Sequence, residues 1–332
     1  MYIIVYIMKV LHVTFHKGCQ NDLEYILDRI EDVTHDTFTF DDDGNQKYNI
    51  TKQRAVTIWN KYKHIFNEYD CIITSDTAPL CRIFIENNWS KKLIVWICNR
   101  FDYSHRPVID GPFPDKDYLE MFQNAHYMKN VRVIGYTLFE NIYCKLYYNI
   151  DIGFDVITPS GGISNTYKHF THKPELNNTF FIPPYHNDTD CMNVSNILDN
   201  LKILNYCGRY DGPKDLTNYK AVVHIPYAWS NLALFESFAL GIIYFIPSIE
   251  FLIEISKKPK FFWTPPYRSD LVHHSEWYNS EYENLFIYFN SWEDLLLKMS
   301  DLDYDKHKVI LKEFSNKKCN DCIQKWKRVI TN

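Results

Sequence analysis

Apolar residues come in short β-branched runs, and between the runs lie stretches whose apolar positions recur every three or four residues. That alternation predicts βαβ units and a largely parallel sheet. The first run spans Val10–Phe15 and ends in HKGCQNDLEYIL, read as a turn at Gly18 entering a helix capped by Asn21 or Asp22. The stretch KQRAVTIWNKYKHIFNEY predicts a helix leading into the strand DCIITSD, and KLIVWICN is a further apolar strand. Helices near Tyr118–Ala125 and Glu140–Tyr147, with strands VRVIGYT and FDVITPS, complete one α/β unit.

The polar stretch GGISNTYKHFTHKPELNN lacks periodicity and reads as a linker. Beyond it come strand TFFIPP, helix CMNVSNILDNL, strand KILNYCG, a short helix near Asp215–Tyr219 and strand AVVHIPY. An apolar helix in WSNLALFESFALG and strand IIYFIP follow, with helical segments at Trp292–Met299, Lys306–Phe314 and CIQKWKRVI. The expected organisation is α/β, with domains at 1–165 and 166–310 and a C-terminal helix at 311–332 packing back on the first. Two such domains imply a cleft, with ligands at strand carboxyl ends.

The chain has 332 residues and a net charge of −5, which argues against a nucleic-acid partner. Nine cysteines without a regular framework fit reduced thiols in a cytoplasmic compartment. The opening MYIIVYIM is too short to span a bilayer, and no other segment reads as transmembrane, which leaves peripheral membrane contact open. Acidic strings at 41–43 and 188–190, the CNDC pair and the His273–His274 pair have no metal-ligand spacing, so no metal is expected.

One residue breaks the pattern. Glu236 stands in the otherwise apolar run WSNLALFESFALGIIYFIPS, and burying an ionised acid without partners is costly. With Ser230 read as the helix cap, Glu236 lies well beyond the first turn. It could bond a neighbouring loop, pair with a lysine, or wait for hydroxyls. A carboxylate accepts two hydrogen bonds from a vicinal diol such as ribose, while a helix start offers amides to phosphate.

At this point the sequence resembles a family. CGRYDGPKDLTNYKAVVHIPYAWSNLALFESFALGIIYFIPS is similar to the nucleotide-sugar-binding stretch of GT-B glycosyltransferases, closest to the retaining family 4-like group. Asp215, Leu216, Tyr219, Pro226, Glu236, Ala239 and Gly241 follow its pattern in order, KVLHVTFHKGC resembles the first strand and glycine loop, and FDVITPSGG resembles the stretch closing the first domain. The resemblance implies a GT-B fold, two Rossmann-like domains facing across a cleft, and metal-independent hexosyl transfer. The donor would be a UDP- or GDP-linked sugar, a co-substrate with no other cofactor, and the acceptor a hydroxyl of a glycan or small molecule. An epimerase of the same fold and a non-catalytic nucleotide- or glycan-binding protein are the alternatives.

Carried onto this chain, the resemblance puts the ribose on Glu236 and the diphosphate on the amides at Ser230, Asn231 and Leu232. Gly208 and Arg209 lie near the base, Tyr185 replaces a basic donor contact, and Gly18 faces the transferred sugar. The family's first glutamate falls at Ala228, and diphosphate contacts from Arg209, Lys214 or Arg268 would compensate. A base for the acceptor hydroxyl is sought at strand ends. Asp102 and His105, in the loop NRFDYSHRP, are the first candidates, then His16, with Asp76 also placed at such an end.

Overall fold

The computed structural model describes residues 6–40, 50–99, 101–102, 116–125, 127–153, 155–162, 171–184, 193–257 and 269–332. His105, Tyr185 and Arg268 lie outside the described residues. The chain divides into two compact units, one of Met1–Pro159 with Asp321–Asn332 and one of Ser160–Asn320.

The first unit runs β1 (Met8–Val13), α1 (Lys17–Leu27), β2 (Val33–Phe38), α2 (Lys52–Phe66), β3 (Cys71–Thr74), α3 (Arg82–Ile85), β4 (Lys92–Ile97), α4 (Lys116–Ala125), β5 (Val131–Gly135) and α5 (Leu138–Tyr148). Its five strands are all parallel, in the order β2-β1-β3-β4-β5. Strands β3 and β4 are almost wholly buried, as continuous apolar runs covered by helices should be. The expected strand FDVITPS is instead an isolated bridge, with Val156 opposite Gly135.

The second unit runs β6 (Phe180–Ile182), α6 (Val194–Asn200), β7 (Asn205–Cys207), β8 (Ala221–Val223), α7 (Leu232–Leu240), β9 (Tyr244–Pro247), α8 (Ile249–Ser256), β10 (Phe286–Phe289), α9 (Trp292–Asp301) and α10 (Tyr304–Thr331). Its strands are also all parallel, in the order β10-β9-β8-β6-β7. Counted from each unit's own first strand, both sheets have the order 2-1-3-4-5. The chain therefore reverses direction between the first and third strands, β1 and β3 in one unit and β6 and β8 in the other. Crevices at the carboxyl ends of such strand pairs are where open α/β sheets hold ligands.

The last helix is continuous where the sequence reads as two segments, and its residues from Asp321 onward group with the first unit. There the buried Trp326 stands edge-on to Trp96, 5.3 Å between ring centres. Lys92 Nζ donates to the carbonyls of Val329 and Ile330 at 3.3 and 2.8 Å, satisfying acceptors that a helix C-terminus leaves open. Among the described residues no helix is long and apolar enough to cross a membrane.

Candidate functional site

Helix α7 begins past the carboxyl end of β8, beside the strand-order reversal of the second unit. Its cap is Asn231, whose Oδ1 accepts from the Ala233 amide at 3.0 Å, so the cap assigned to Ser230 moves one residue on. Ser230 lies just before the cap, and its Oγ is buried without a hydrogen-bond partner among the described residues. The Leu232 amide is one of the first-turn donors that a helix cannot satisfy internally. Glu236 is the fifth helical residue, just over one turn in, and is 5% exposed. Leu234, Phe235, Ser237 and Phe238 beside it are buried too. Gly241 ends the helix in the left-handed conformation (φ 74°), and its amide donates to the Phe238 carbonyl at 3.0 Å.

Three other segments hold α7 in place. The turn Pro213–Asn218 packs against it, through the family-like Asp215–Leu216 stretch. Gly161, also left-handed (φ 70°), lies flat against the middle of the helix, where an added Cβ would stand 2.5 Å from the Phe235 carbonyl oxygen. The third segment is Ser275–Tyr278. The Glu276 amide donates to the Trp229 carbonyl at 2.7 Å and the Trp277 indole to the Ala228 carbonyl at 2.8 Å. Ala228 is where the family-like pattern expects its first glutamate. A different acid, Glu276, is bonded through its backbone to the next residue. Burial raises the Glu276 carboxyl from 4.5 to about 8, with Lys318 acting against the shift and Glu281 adding to it.

Gly208 and Arg209 follow β7, at the sheet edge, with Gly208 beneath the Tyr206 ring and Arg209 exposed. Tyr206 stacks on Tyr219 at 5.8 Å, and Phe181 packs on both Tyr210 and Tyr219.

In the first unit, His16 is itself the α1 cap, its Nδ1 accepting from the Cys19 amide at 3.3 Å. Helix α1 thus starts at Lys17, so Gly18 belongs to its first turn, and Asn21 and Asp22 are buried inside it rather than capping it. The capping bond occupies the Nδ1 lone pair and leaves the hydrogen of a neutral ring on Nε2. His16 must give up that bond, or change tautomer, before it can act as a base. Asp76 follows β3 and is buried, with a left-handed backbone (φ 73°). The neighbouring Cys98 thiol and the His16 ring hold the Cys19 thiol below its ordinary value, against the opposing effect of burial.

Asp102 belongs to a different cluster. It is fully buried, and its Oδ2 accepts from Tyr143 Oη at 2.8 Å and Tyr148 Oη at 2.7 Å. The carboxylate helps to order the aromatic cluster in which Phe101 packs on Tyr118, Tyr143 and Tyr148.

The sequence matches no protein-family model and no curated protein. Solved structures do match, along nearly the whole chain. A DNA-modifying enzyme, β-glucosyltransferase, whose substrate is uridine diphosphoglucose, shares 10% identity at a TM-score of 0.51, over 98% of this chain and 100% of that one. A protein described as a UDP-N-acetylglucosamine 2-epimerase from Listeria monocytogenes shares 11% at 0.50, over 93% and 91%. The fold is GT-B. At these identities the likeness carries the fold alone, and it does not select the retaining family 4-like group within it.

Proposed function

We propose that this GT-B chain is a glycosyltransferase that binds a nucleoside diphosphate sugar on its second unit and passes the sugar to a hydroxyl of a glycan or small acceptor. The observation that carries the reading is Glu236, a carboxylate kept among apolar side chains on the helix that starts at the strand-order reversal. Four residues separate it from Leu232, about 6 Å along the axis. That is the order of the separation between a nucleotide's α-phosphate and its ribose diol.

In this reading the diphosphate sits at the start of α7. The Leu232 amide and the Ser230 hydroxyl donate to it, and the positive end of the helix offsets its charge. Glu236 accepts from the ribose hydroxyls. Arg209 and Lys214 neutralise negative charge that builds on the leaving diphosphate, so the protein's own groups do this work. Gly208 lets the Tyr206 ring close over the backbone at the end of β7, where the base would lie. For the acceptor hydroxyl the first unit offers His16, Asp76 and Asp102 as the described candidate bases from the sequence. Uridine diphosphate sugars are the first donors to test, because both solved structures carry that nucleotide in their descriptions.

The test is a donor panel of UDP- and GDP-sugars labelled in the sugar, incubated with the chain and a set of hydroxyl acceptors. The expected result is nucleoside diphosphate released together with labelled acceptor. Conversion of the donor into an isomeric nucleotide sugar would make the protein an epimerase, and binding without turnover would make it a binding protein.

A further inference from the structure

The second unit's sheet ends on β10, which among the described residues pairs with β9 alone. The Ser248 amide donates to the Phe289 carbonyl at 2.8 Å, so Phe289 and Ile287 turn their peptide groups toward β9. The peptide groups of Phe286 and Tyr288 then face outward, where no described residue bonds to them. Edge strands are ordinarily blunted by a charge or a proline, and β10 reads FIYF, with neither. A groove of about 390 Å³ lies beside the strand, lined by Phe286, Ile287, Tyr288, Lys298, Asp301 and Leu302. Lys298 and Asp301 put an exposed cation and an exposed anion three positions apart on α9. Neither forms an ion pair among the described residues.

We propose that β10 is an interface between two copies of this chain, which pair antiparallel at their β10 edges about a two-fold axis and join their five-stranded sheets into one. The two-fold makes the strand its own complement. Outward amides of each copy meet outward carbonyls of the other, and both apolar edges are covered at once. The charges select a second copy as the occupant. An axis through the groove turns Lys298 of each chain toward Asp301 of the partner subunit, so one groove carries both halves of each ion pair the dimer makes. The contact also closes. Joining β10 to β7, the opposite edge of the sheet, would leave a free edge at each end and propagate without limit. This assembly is independent of what α7 binds.

The experiment is sedimentation velocity on the full chain at about 1 to 100 μM in low salt, where exposed charges are least screened. Wild type should reach twice the mass of the 39.8 kDa chain at the upper concentrations. Lys298→Glu and Asp301→Lys each set like charges against one another twice across the axis, so each should weaken the dimer at least about tenfold. The double variant restores opposite charges and should recover dimerisation to within about threefold of wild type. Both side chains are exposed, and circular dichroism verifies that the variants are folded. A wild-type chain that stays single, species that keep growing with concentration, single variants that dimerise like wild type, or a double variant no tighter than the single ones would overturn the proposal.

Discussion

The backbone N–H of Glu276 donates to the carbonyl of Trp229 at 2.7 Å, tying the turn Glu276–Tyr278 to the segment that delivers α7. The carboxyl of the same residue is 2% exposed and is held protonated to about pH 8, primarily by burial. Its neighbours Lys318 and Glu281 are paired with one another at 2.8 Å, so the lysine is already engaged. The unfolded chain gives up this proton near 4.5, so between there and about 8 the unfolded state binds fewer protons and rising pH favours unfolding. Below that window the group adds no penalty, and above it the penalty is constant. Glu276→Gln should leave stability near wild type at about pH 4.5 and raise it above about pH 8, by on the order of 5 kcal/mol. Denaturant melts across that range check this, and a variant whose melts track wild type at both ends would contradict it.

Gly161 makes the second prediction. Its backbone is left-handed, and a Cβ there would meet the Phe235 carbonyl at 2.5 Å, an atom fixed by the helix and unable to swing aside. Gly161→Ala should therefore cost about 2 kcal/mol or more in urea melts, combining strain at positive φ with overpacking. Because the clash falls one residue before Glu236, nucleotide affinity should fall along with stability.

Asp102 gives a result of a different kind. Replacing it with Ala takes this acceptor from the buried Tyr143 hydroxyl and the half-buried Tyr148 hydroxyl, at a cost of about 3 kcal/mol. Asp102→Asn keeps an acceptor oxygen and should cost less. Turnover by folded Asp102→Asn should stay within about threefold of wild type, whereas loss of a general base removes about 100-fold or more. Kinetics on that variant separate the two roles.

Much of the fold is legible in the sequence because buried parallel strands read as uninterrupted apolar runs, as at Leu93–Ile97 and Tyr244–Pro247. Strand β2, VTHDTF, escapes notice because it is a sheet edge carrying polar residues, and β10 is hidden behind a series of short turns. The 28-residue α10 reads as two pieces because its apolar positions are sparse between Phe314 and Cys322. In the candidate site, Glu236 declares itself as a charge in an apolar helix. Glu276 has no such contrast, since SEWYNSEYENL is acidic throughout and only the tertiary bond to Trp229 singles it out. The sequence points to Asn21 or Asp22 as the α1 cap because both are favoured cap residues, whereas histidine, which caps the helix, is an uncommon one.

The account rests on Glu236 gripping a ribose, and titration calorimetry with UDP, GDP and ADP on wild type and Glu236→Ala tests it most directly, with thermal melts establishing that the variant is folded. Wild type should bind one of these nucleotides, and the folded variant should bind it at least about tenfold more weakly, a loss of about 1.4 kcal/mol. A folded Glu236→Ala chain with wild-type affinity, or a wild-type chain that binds none of the three, would contradict it.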